Sequence, residues 1–279
     1  MKRAYKIYIK GGYTMKAMYK ITSLAVAALI AVGLGTSTVQ AAGGKHMVMQ
    51  VSQVNVDPTK EAVYNYYGQK VAKKSVKNLE GTLAVYKSVN EMTPTENTTV
   101  EIFQDPGAIK AYNKSKDMRD FQKAMTIGVT TESSQGGTPF YAKEIQVPLY
   151  TMGIADTKIL SLETYIVGQG QGQVAKVKES LLQAESKGLS SNGQATQAIA
   201  SQAGLYATYM ATMNESPNTI TVARVFVNQS AYNAYANSPA RAALQELIKP
   251  LIVSQRGQAS RLRVSYDKGG LDYQELLKK

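Results

Sequence analysis

Eighteen tyrosines against four phenylalanines, one histidine and neither cysteine nor tryptophan leave this 279-residue chain few kinds of group with which to do chemistry. The missing cysteine removes disulfides, thiolate metal sites and thiol nucleophiles. His46 follows a glycine-rich stretch, where an exposed linker is its expected setting. No catalytic triad, zinc motif or paired-carboxylate motif is visible, and the glycines of "GQGQG" (168–172) have the wrong spacing for a phosphate loop. What remains is a set of phenols and two charges inside strand-like runs. Tyr86 and Tyr209, and likewise Tyr112 and Tyr235, stand 123 positions apart. A phenol can orient a hydroxylated aromatic ligand or donate a proton. Arg224 interrupts "ITVARVFV", and its counterpart at the same separation is Glu101 in "TTVEIFQ". A buried cation needs a partner, so these opposite charges meet across a symmetry axis, face a pocket, or else each lies at an exposed strand edge. Arg224, Tyr209 and Tyr86 are thus the candidates for catalysis. Tyr112, Tyr235 and Glu101 are the candidates for holding a substrate, and no metal ligands are expected.

The elements that must position these residues occur twice. Residues 47–56 alternate apolar and polar side chains as a half-buried strand does, and Asp57-Pro58 then starts a helix carrying Val63, Tyr66, Tyr67 and Val71 at helical spacing. Strands follow at 81–89 and 98–104. A helix broken and recapped at Ser115 comes next, then "TTESSQGG" as a loop and a fourth strand at 139–147. The same order returns with strands at 159–167, 204–213, 220–227 and 260–267, a helix from about 173, and a second broken helix recapped at Ser238. A constant offset of 123 aligns residues 81–122 with 204–245 without a gap and with 11 identities in 42 positions. That is several times the two or three expected by chance, so the chain holds two copies of one unit, with a longer first helix expected in the second. A βαββαβ unit is the ferredoxin-like split motif. The expected fold class is α+β: two tandem ferredoxin-like units, 42–150 and 156–268, packed sheet to sheet as an intramolecular α+β barrel of about eight strands, followed by a tail at 269–279.

Residues 1–41 have the layout of a secretory signal: six basic residues without an acid, an apolar run at 21–35, and small residues leading to a cut after Ala41. Met15 is a second candidate start. This predicts a protein secreted or displayed at the cell surface. Removing the segment halves the net charge of +12, which leaves too little basic character for a nucleic-acid partner. The one dense basic run, "GQKVAKKSVK" (68–77), reads as a solvated helix face whose next use is contact with anionic cell-wall polymer or lipid headgroups.

The stretches "TTVEIFQDPGAIKAYNKSKDMRDFQKA" and "ITVARVFVNQSAYNAYANSPARAALQEL" resemble the antibiotic biosynthesis monooxygenase family of dimeric α+β barrels. In both, a strand ends in an aromatic, an acidic or amide turn follows, and a helix with an Ala-Tyr pair leads to a recapping serine. The resemblance implies oxidation of a small quinol or polyphenol by molecular oxygen without a cofactor. It also implies a monomer with pseudo-two-fold symmetry, or a higher oligomer of that unit. Where many members carry a histidine after the serine, this chain has Lys116-Asp117 and Pro239-Ala240. A binding or cell-surface protein that kept the barrel and lost the chemistry is therefore the alternative expectation, and haem binding the third.

Overall fold

The computed structural model describes residues 46–151, 158–191 and 194–273; the expected signal at 1–41 and most of the tail lie outside them. The first unit runs β1 (Val48–Val56), α1 (Glu61–Asn78), β2 (Thr82–Val89), β3 (Glu96–Phe103), α2 (Pro106–Lys114), α3 (Lys116–Ala124) and β4 (Val129–Glu144). The second runs β5 (Ile159–Val167), α4 (Gln173–Ser186), β6 (Leu205–Met213), β7 (Thr219–Phe226), α5 (Gln229–Ala236), α6 (Pro239–Ile248) and β8 (Ile252–Asp267). The eight strands close into one antiparallel barrel in the order β1-β3-β2-β8-β5-β7-β6-β4. Each unit supplies four neighbouring strands in the ferredoxin-like order, and the seams are β2 against β8 and β6 against β4. The α+β barrel expected from the repeat is the fold observed.

Local chemistry explains the repeated breaks. Asp105 and Asn228 accept from the backbone N–H of Ala108 and Ala231 at 2.9 and 2.8 Å, capping α2 and α5. Ser115 and Ser238 cap α3 and α6, each accepting at 3.2 Å from the N–H three residues on. Such caps are worth about 1 kcal/mol each. Two of the repeated identities touch one another. A β-carbon built on Gly81 or Gly204 would stand 2.5 Å from the β-carbon of Ala108 or Ala231, so strand and helix approach closely only because both positions are small.

Two expectations need correction. The segment read as the loop "TTESSQGG" is the first half of β4, and β8 likewise begins at Ile252 instead of 260. Each of these sixteen-residue strands serves two neighbours in turn. Residues of β4 from Val129 to Gly137 pair with β1, and those from Gly137 to Glu144 with β6. The glycines mark the corner: a β-carbon on Gly137 would lie 2.9 to 3.1 Å from Met213, Ala211 and Thr212. Nor is the first helix of the second unit longer, since α4 has 14 residues and α1 has 18. The extra chain lies between α4 and β6, where it forms a two-residue hairpin and a short 3-10 turn.

The core has four clusters, the smallest packing Ala72 and Val76 of α1 on Val85 and Val264. Inside the barrel, Met49, Val100, Ile102, Leu160, Leu162, Val225 and Leu262 pack with Tyr86 and Tyr209, which fit because Ala84, Ala207, Ala211 and Ala223 are small. Outside it, α1, α2 and α3 cover one flank around Phe103, Ile109, Met118 and Phe121. The other three helices cover the opposite flank around Val177, Leu181, Val222, Phe226 and Leu244.

Candidate functional site

Strand alternation sends the predicted residues to three places. Tyr86 and Tyr209 point into the barrel, where their hydroxyls meet at 2.9 Å. The pseudo-two-fold axis therefore runs between two residues 123 apart. Tyr209 donates to Glu144 at 2.5 Å, and Tyr86 to Asp267 at 3.0 Å. Glu144 and Asp267 are themselves 123 positions apart, so each tyrosine reaches the acid of the opposite unit. Asp267 also accepts from Tyr206 at 2.5 Å and from the Leu149 N–H at 3.1 Å. Burial lifts both acids, Glu144 to about 7, with the neighbouring acid adding to the rise at Glu144. Both tyrosines are driven far above the ordinary phenol range, first by burial and then by the carboxylates. This cluster joins the two units through the barrel interior.

Arg224 faces the other side of the sheet, so it does not share a pocket with Tyr209. It also does not meet Glu101 across the axis, because each sits on the outer face of its own unit. Arg224 is 1% exposed. Its guanidinium pairs with Glu163 at 3.2 Å and Glu185 at 2.9 Å, and donates to the Tyr235 hydroxyl at 2.8 Å. Arg241 of α6 closes on Glu163 at 2.9 Å, Tyr165 donates to the same carboxylate at 2.9 Å, and Thr208 donates to Glu185 at 2.6 Å. Burial opposes the charge on Arg224, but Tyr235, Glu185 and Glu163 overcome it and raise its pKa. Glu163 is likewise pushed up by burial and pulled below its ordinary value by Arg224 and Arg241. The space between sheet and helices in the second unit is filled by this network.

The same space in the first unit is open. A cavity of about 100 Å³ lies between β1, β3, β4 and the helices, walled by Gln50, Ser52, Tyr64, Lys87, Glu101, Tyr112, Phe121 and Ser134. Tyr112 donates to Glu101 at 2.7 Å. Burial raises the Glu101 carboxyl above its usual value, against opposing pulls from Lys87 and the Tyr112 hydroxyl. The substitutions that separate the units follow from strand register. β1 and β5 hold equivalent places against β3 and β7, so Ser52 stands where the second unit has Glu163. Glu101 stands where it has Arg224, Met118 where it has Arg241, and Lys87 where it has Met210.

Of the predicted residues, Glu101 and Tyr112 come together on this cavity, Tyr235 joins Arg224 in the filled counterpart, and Tyr86 and Tyr209 form the seam. Lys87, Ser52, Glu163 and Glu185 were not foreseen. Lys87 did leave a trace, as the one charge within the apolar run "TLAVYKSV". Among the described residues no group of three His, Asp or Glu could hold a metal ion.

Residues 47–124 match the antibiotic biosynthesis monooxygenase family. No curated protein matches the chain. Among solved structures, a "putative monooxygenase" from Lactobacillus acidophilus is similar at 15% identity with a TM-score of 0.69, over 81% of this chain and 99% of the other. Another, from Fusobacterium nucleatum, gives 16% and 0.69 over 82% and 97%. An anthrone oxidase-like protein gives 12% and 0.51 over 83% and 97%. Their likeness establishes the shared barrel along most of the chain, and within it residues 47–124 are similar to the antibiotic biosynthesis monooxygenase family.

Proposed function

We propose that the protein is an exported, monooxygenase-like enzyme with one active site, the first-unit cavity, where a one-ring quinol or polyphenol is oxidised by molecular oxygen. The observation that carries this reading is the contrast between the units. One keeps a cavity with an acid and a phenol in hydrogen-bond contact, while the other has the same space filled by ion pairs. The cavity is smaller than the roughly 150 Å³ that holds benzene in an engineered core. A single ring therefore occupies it with one edge in the mouth, and a fused three-ring substrate is too large.

In this reading Glu101, as carboxylate, accepts the proton of a substrate hydroxyl, and Tyr112 holds that carboxylate in place. The resulting phenolate is electron-rich enough to react with oxygen at a ring carbon. One oxygen atom stays on the ring, which leaves as a hydroxyquinone, and the other leaves as water. The substrate supplies all the electrons, so a quinol and one O₂ balance one hydroxyquinone and one water. A positioned general base contributes roughly 100-fold or more.

Oxygen uptake by the protein lacking residues 1–41, measured across a panel of one-ring dihydroxyaromatics, tests the reading. At least one substrate should turn over above the buffer rate, Glu101→Gln should lower that rate about 100-fold, and calorimetry should find one ligand per chain. Binding without turnover across the panel would instead establish the silent binding protein.

A further inference from the structure

Lys87 is 5% exposed, lies on the wall of the first-unit cavity, and among the described residues makes neither a hydrogen bond nor an ion pair through its Nζ. Its neighbours are the faces of Tyr64 and Phe121, whose ring centres are 5.0 and 4.6 Å from Nζ. Such contacts stabilise an ammonium only partly, and a buried cation without an anion is costly. Glu101 is an acid that feels its charge, yet the two do not pair: the carboxylate accepts from the Tyr112 hydroxyl. The cavity therefore has a cation on one wall and a proton acceptor on another, and a ring seated with one edge in the mouth reaches both. The chain has made space for this lysine, since α1 carries Gly68 where a β-carbon would press on the Lys87 stem at 3.2 Å. In the filled unit the equivalent residue is the apolar Met210.

From this arrangement we infer that the cavity takes its ligand as an anion, an acidic phenol or enol whose ionised oxygen sits against Lys87, and that Lys87 selects such ligands over neutral aromatics of the same shape. The inference rests on the cavity being the substrate site, and it narrows the substrate class to hydroxyls acidic enough to transfer their proton on binding. The proton goes to Glu101 or to solvent.

The probe is 4-nitrophenol, which is yellow only when ionised, with nitrobenzene as a neutral companion that cannot ionise. Below the phenol's own pKa, adding the protein should turn bound 4-nitrophenol yellow. Lys87→Met, which installs the residue of the filled unit, should weaken 4-nitrophenol binding about 10- to 100-fold and leave nitrobenzene binding unchanged. A colourless bound ligand, or equal losses for both probes, overturns the inference, as does no binding of either. The colour on the unmutated protein decides the matter even if the variant fails to fold. Yellow binding without oxygen uptake would leave the inference standing and defeat the oxygenase reading. Oxygen uptake that survives in Lys87→Met would do the reverse.

Discussion

Lys87 and Gly68 show how one side chain is accommodated by another's absence. A glycine inside α1 costs the helix up to about 1 kcal/mol relative to alanine, and the return is a clear path for the lysine stem, whose Cδ and Cε would lie 3.2 and 3.4 Å from an added methyl. Gly68→Ala should therefore leave the melting temperature unchanged or slightly raised while 4-nitrophenol affinity falls several-fold, because Nζ is pushed off its place over Tyr64 and Phe121. Thermal melts and a titration on the same sample check both halves of the expectation. Unaltered affinity would mean that the stem bends aside without moving the charge. Tyr112 and Tyr235 make the complementary point. They are identical in sequence, yet one holds a carboxylate at the edge of a cavity and the other is locked under Arg224.

At the scale of elements, the filled flank of the second unit depends on charges delivered by β5, β7, α4 and α6 to one buried point. Removing one partner of such a network leaves the others uncompensated, at a cost of 3–5 kcal/mol for a buried pair by general precedent. Arg224→Met should thus destabilise the protein by roughly that amount in urea unfolding, and adding Glu163→Gln and Glu185→Gln should recover most of the loss. Ligand binding in the first unit should be unaffected wherever the variant remains folded. Equal stability of the single and triple variants would show that the carboxylates do not need the arginine. The strands and broken helices were legible in the sequence because periodicity and caps are local signals: residues 159–167 were read at their observed bounds, and Ser115 and Ser238 cap as expected. The first halves of β4 and β8 were not legible. Their Ser, Thr, Gln and Gly content imitates a loop, and their pairing depends on strands far away in sequence. The site divided the same way. Glu101, Tyr112 and Arg224 stood out by type and offset, whereas the face of the sheet each would occupy, and the acids that Arg224 would find, depended on which strands became neighbours. Glu144 and Asp267 escaped notice because their equivalence lies beyond the gapless window and pairs two different acids.

The whole molecule is held across its pseudo-two-fold axis by the chain Glu144, Tyr209, Tyr86, Asp267 and Tyr206. Such a junction is sensitive to pH with a definite sign. Glu144 is lifted from 4.5 to about 7, chiefly by burial and next by Asp267, with the Tyr209 hydroxyl pulling the other way. The folded protein therefore keeps a proton that the unfolded chain has already released, so stability falls as pH rises from about 4.5 to about 7 and is level above it, by roughly 3 kcal/mol from this group. Asp267 is also raised and adds a contribution of the same sign. Glu163, held below its ordinary value in the second unit, acts in the opposite sense, and the stability it gives is lost only as pH falls below 4.5. Lys158, buried beside Asp267, is lowered by burial and raised by that acid. Glu144→Gln replaces the titrating acid with an amide that still accepts from Tyr209. The variant should be no more stable than the parent near pH 4.5, where the parent's carboxyl keeps its proton, and more stable than the parent at pH 8. Urea midpoints at pH 4.5, 6 and 8 for the two proteins would show the curves crossing. Parallel curves over that range would mean that the carboxyl ionises inside the barrel without cost, and the junction would then owe its strength to the tyrosines alone.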